Sequence, residues 1–87
     1  MIFSDREIKI SESLTEEKWA EVIAAVSGRD DLTLKIEGVD VFLKEMSIPM
    51  EISGVSIANT VFKNKIKISG LSNGRFLSIK NSRSSFL

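Results

Sequence analysis

Cysteine and histidine are both absent from the 87-residue sequence. Without cysteine there is no disulfide framework and no thiolate metal site. Without histidine as well, a histidine base, a cysteine nucleophile and a conventional zinc site are excluded. No run matches a phosphate-binding GxxxxGKS/T or GxGxxG loop, or an EF-hand. Serine, lysine and carboxylates remain, so composition leaves a Ser–Lys dyad open, but no serine stands in a nucleophile-elbow context. The adjacent Asp30 and Asp31 lack the further oxygen ligands of a calcium loop and read as a solvated turn. The expectation is a protein that is not an enzyme and holds neither metal nor cofactor.

Long apolar runs are also missing: none approaches the roughly 20 residues of a membrane helix. The start, MIFSDREIKIS, has no apolar signal-peptide segment, so the expected location is cytoplasmic. With 43% apolar and 28% charged residues, the composition is that of an ordinary soluble globule. The length suits one domain, 1–87, with a serine-rich tail over 82–87 expected to fray. The last absence is local. No acid follows Glu51, whereas Lys63, Lys65, Lys67, Arg75, Lys80 and Arg83 all do. A chain of zero net charge is thus divided into an acidic and a basic half.

What is present is dominated by alternating segments. Over 61–80, Asn73-Gly74 is the strongest tight-turn signal, because a type I′ turn needs two residues at positive φ. A hairpin there pairs Ile68 with Ile79 and Gly70 with Leu77. It sorts Ile66, Ile68, Leu77 and Ile79 onto a core face, and Lys65, Lys67, Ser69, Leu71, Phe76, Ser78 and Lys80 onto the other. Gly70 then marks a bend in a strand.

Upstream, 7–11 reads as a first strand with Ile8 and Ile10 on one side. Residues 13–28 carry the one amphipathic helix. Its N-cap is either Thr15, with a Leu14/Trp19 staple, or Ser13 in a capping box with Glu16; Gly28 stands at C′. Trp19, Val22, Ile23 and Val26 form the core-facing stripe. A second hairpin over 32–43 turns at Glu37-Gly38 and pairs Leu34 with Val41 and Lys35 with Asp40. Residues 48–58 fit either a turn at Ser53-Gly54 or one longer strand bulged at Gly54. Lys63-Asn64 offers another turn, which directs Phe62 outward.

These segments predict an α+β fold: one amphipathic helix on a curled antiparallel meander, β-α-β-β-β-β, with one extra strand optional. Two internal echoes leave a second arrangement open, although the Asn-Gly turn and the sorted faces favour the meander and eight-residue strands would also repeat every sixteen residues. LKIEGV, MEISGV and IKISGL begin sixteen residues apart at Leu34, Met50 and Ile66; VSIANT and LSIKNS begin twenty-two apart at Val55 and Leu77. Either period suits a short β-solenoid capped by the N-terminal helix.

The candidate binding residues are Phe62, Lys63, Lys65, Lys67, Leu71, Arg75, Phe76 and Lys80, cations interleaved with aromatic and aliphatic groups. Such a surface suits a protein interface with anchors inside a charged rim. The expected function is a small non-enzymatic protein-binding domain acting by surface occlusion, as in the stoichiometric inhibitors that phages direct against host defence. A basic-aromatic face for single-stranded nucleic acid is the second reading. A homo-oligomeric subunit, joined acidic half to basic half, is the third.

Overall fold

A computed structural model describes residues 2–71 and 74–84. The alternating segments become ten strands: β1 (Ile2–Phe3), β2 (Glu7–Ile10), β3 (Leu32–Glu37), β4 (Asp40–Val41), β5 (Glu45–Ser47), β6 (Ile52–Ala58), β7 (Val61–Phe62), β8 (Lys67–Ser69), β9 (Phe76–Lys80) and β10 (Arg83–Ser84). The single helix, α1 (Glu16–Val26), lies between β2 and β3. The fold is α+β, but the meander is not formed. Only β1 and β2 pair antiparallel; β2, β3, β6 and β9 run parallel in that order, as do β4, β7 and β10, and β5 and β8.

The stacking register follows the second echo. Val55 pairs with Leu77 and Ile57 with Ile79, Glu45 with Lys67, and Val61 with Arg83, each twenty-two residues on. The chain therefore coils. One rung is β3-β4-β5, the next β6-β7-β8, the last β9-β10; β2 begins a shorter rung that meets the second ladder only through Leu14 beside Val41. This is the solenoid arrangement, with the sixteen-residue echo playing no part in its pairing. Two aliphatic columns run through it, Ile8-Leu34-Val55-Leu77 and Ile10-Ile36-Ile57-Ile79.

The expected hairpin at Glu37-Gly38 fails for a local reason. A type I′ turn needs two consecutive left-handed residues, and there Gly38 alone is left-handed. At one corner Gly38, Asn59 and Asn81 stack with φ of 64°, 50° and 50°. Each redirects the chain from one ladder to the next instead of reversing it. Glycine and asparagine occupy that corner because they tolerate this conformation best. So Glu37-Gly38 does not pair Leu34 with Val41: Leu34 pairs with Ile8 and Val55, and Lys35 forms its ion pair with Glu7 rather than Asp40. Ser53-Gly54 is no turn but an irregularity within β6, where the register to β3 shifts. Lys63-Asn64 is a bend between β7 and β8. Ile68 pairs with Met46 and not with Ile79. Ser72 and Asn73, half of the expected Asn73-Gly74 turn, lie outside the described residues, as do Ser85, Phe86 and Leu87 of the tail; Arg83 and Ser84 form a strand instead of fraying.

The helix matches its signals closely. Thr15 is the N-cap, its Oγ1 accepting from the Lys18 N–H at 3.2 Å, and Gly28 follows the end at φ 82°. Val22 and Val26 are fully buried and Trp19 packs against the same core. Ile23 departs from expectation. It is 37% exposed, because one residue is a 100° rotation and places it on the flank of the Val22–Val26 line. Ile8, Ile10 and Leu14, the inward residues of the first rung, are wholly buried, so Val22, Val26 and Trp19 close that end of the coil.

After β8 the chain bends at Gly70, at φ 90° and against the Ile48 backbone carbonyl. Arg75 braces this bend, donating from Nη1 to the Gly70 carbonyl at 2.7 Å and from Nη2 to the Met50 carbonyl at 3.1 Å.

Two stability outcomes follow. Val22→Ala is expected to cost about 1–3 kcal/mol through lost burial and a cavity, and Ile23→Ala well under about 1 kcal/mol, in urea titrations. Gly70→Ala is expected to cost more than about 1 kcal/mol, because its methyl group meets the Ile48 carbonyl as well as an unfavourable φ. Gly28→Ala, with a similar φ but open space around it, serves as the control and should cost less.

Candidate binding surface

The coil's two ends are unlike. At the first, α1 and β1 cover the opening rung. At the other, β9 is the edge of its sheet and no described residue stacks on it. The effect is read from the columns. Leu34, Val55, Ile36 and Ile57 are 0% exposed, whereas Leu77 and Ile79, in the same inward columns, are 41% and 48% exposed. Ile66, Ile68 and Leu71 are partly buried against the same core. The last rung thus presents aliphatic side chains and an edge strand with one row of unpaired backbone groups, the usual template for adding another chain.

Around this end cations predominate, although Lys67 stands beside Glu45 of the neighbouring strand. Lys67 points out of β8 and Lys80 out of β9, Arg83 lies in β10, and Lys63 and Lys65 lie in the loop before β8. Residues 52–87 hold six cations and no carboxylate, so no acid of these rungs neutralises them. The other end is the reverse: residues 1–31 hold eight carboxylates against four cations. There Lys18 lies between Glu12 and Glu21, at 2.8 and 2.9 Å. Hydrogen bonding to Lys18 holds the Glu12 carboxyl below its ordinary range, and the two carboxylates raise Lys18. Glu16 and Glu17, in the first turn of α1, are exposed and form no ion pair among the described residues.

The eight expected binding residues do not share a face. Phe62 is buried in the core rather than directed outward, since β7 turns it inward beside Val41. Leu71 packs against the core instead of lying among the lysines. Lys65 and Lys67 belong to the β5-β8 side, Phe76 and Lys80 to the five-stranded sheet, and Lys63 follows β7; Arg75 is engaged by the two carbonyls it braces. Phe76, 52% exposed, lays its ring over Gly54, where a side chain at position 54 would collide with it. What Lys63, Lys65, Lys67, Phe76 and Lys80 share is one end of the coil, as a rim. Leu77 and Ile79 are the residues sequence reasoning missed for this surface. They were correctly assigned to the inward face, and the twenty-two-residue echo, taken as a stacking register, identifies them as the last inward pair.

Elsewhere the surface offers little chemistry. A shallow pocket of about 270 Å³ lies along the asparagine corner, lined by Asn59, Thr60, Val61, Asn81 and Arg83. Its buried polar groups are used internally: the Thr60 hydroxyl donates to the Ala58 carbonyl at 2.9 Å, and the Thr60 N–H to Ser82 Oγ at 3.3 Å. Among the described residues, no group of three or more acidic side chains could hold a metal ion, and no helix is long and apolar enough to cross a membrane. No protein-family model, curated protein or solved structure matches the chain.

Proposed function

We propose that this chain is a non-enzymatic protein-binding domain whose partner covers the open last rung. The observation that carries the reading is the exposure of Leu77 and Ile79 in columns that are otherwise dry. Covering the exposed half of each side chain contributes on the order of 1 kcal/mol. The cationic rim sets the sign of the partner. It accelerates the approach of an acidic surface and opposes a basic one, while the aliphatic centre governs how long the complex lasts.

A single-stranded nucleic acid is less well suited. Stacking platforms set aromatic side chains and cations along one groove, whereas here, among the described residues, Phe76 is the exposed aromatic of β9, and Lys65 and Lys67 point from a different side. The test uses immobilised protein in a native lysate, with Ile79→Glu as the comparison. Captured protein is expected to fall at least about tenfold with Ile79→Glu, as truncating or charging an interface centre does, while the thermal melt stays unchanged. Fluorescence anisotropy with mixed-sequence single strands is expected to show no binding at low salt. Strong, salt-sensitive oligonucleotide binding that survives Ile79→Glu would overturn the proposal.

A further inference from the structure

We infer that the partner fitted to the open rung is a second copy of this chain, joined head to tail, with the outward face of α1 covering Leu77 and Ile79. The inference rests on the binding surface proposed above and names its occupant.

Three observations converge on it. First, the two ends differ in charge: exposed carboxylates on and around α1 at one, a predominance of cations at the other. A two-fold contact of open end on open end would instead set two cationic rims together, which is costly where water is excluded. Second, α1 keeps some apolar surface outside the core. Its inner side closes its own coil through Val22 and Val26, while Ile23 on the flank and Ala20 and Ala24 beyond it remain exposed, with Glu16 and Glu17 among them on the same outer side. Small side chains beside one isoleucine allow a helix to lie close to a sheet end. Third, the two surfaces match in layout. An aliphatic centre of Leu77 and Ile79, with Lys80 in the same strand and Arg83 just after it, would meet Ile23 and two alanines on a helix face that carries Glu16 and Glu17. Such a contact is heterologous, so each copy keeps one free head and one free tail, and association continues beyond a dimer as concentration rises.

Sedimentation equilibrium on the intact chain tests this. The wild type is expected to show a weight-average mass rising above 9.7 kDa with concentration at low salt, and falling back as salt is added. Ile79→Glu spoils the tail and Ile23→Lys the head; both positions are solvent-exposed, and circular dichroism checks that each variant folds. Each variant alone is expected to stay at the monomer mass. Their equimolar mixture regains association, to two chains or more, through the intact tail of one and the intact head of the other. A wild type that stays monomeric at every concentration overturns the inference, as does Ile23→Lys associating as well as the wild type, which would signify tail-to-tail contact. Should the wild type be monomeric while Ile79→Glu still abolishes capture from lysate, the self-association fails and the binding surface stands. Should Ile79→Glu alter neither, both fail.

Discussion

Everything in this fold depends on the parallel register that stacks each rung on the one before it, twenty-six residues back at β2-β3 and twenty-one or twenty-two thereafter. That register lines up Ile10, Ile36, Ile57 and Ile79, and Ile8, Leu34, Val55 and Leu77, so that aliphatic side chains of similar shape pack along the coil axis. A rung cannot bury its inward side chains alone; its neighbours on both sides do so. At one end the chain meets this need with a helix. At the other it presents Leu77 and Ile79 to solvent, and the proposed activity is a consequence of that unmet burial.

The outer surface follows the same stacking. Lys9 stands opposite Lys35 across β2 and β3, a like-charge pair that would oppose the register. Each lysine instead reaches diagonally to a carboxylate, Lys9 to Glu37 at 3.7 Å and Lys35 to Glu7 at 3.4 Å. Ser47 and Ser69, and Asn64 with the Phe42 carbonyl, bond across the same twenty-two-residue interval. Exposed ion pairs of this kind contribute little stability individually. Their value lies in register, since a shift by one residue would break several at once.

Which way side chains point was legible in the sequence, and which strand pairs with which was not. Alternation has a period of two in parallel and antiparallel strands alike, so Leu77 and Ile79 were correctly assigned inward and Phe76, Ser78 and Lys80 outward from an incorrect hairpin. The Glu37-Gly38 signal misled because Gly38 needs positive φ in a corner as it would in a turn, and a corner needs only one such residue. The helix was legible because its cap, stripe and terminator are local. Ile23 was misplaced because the flank of a stripe is decided by what packs beside it. Phe62 and Leu71 were misplaced because their burial depends on rungs distant in sequence. Of the two non-local echoes, the twenty-two-residue one matched the pairing and the sixteen-residue one did not.

The most direct test of the account is solution NMR of backbone proximity and amide exchange in β9. The coil predicts inter-strand contacts between Val55 and Leu77 and between Ile57 and Ile79, with protected amides throughout β6, which has neighbours on both sides. Contacts between Ile68 and Ile79, in an antiparallel pattern, would contradict the coil and with it the open last rung on which the proposed binding depends.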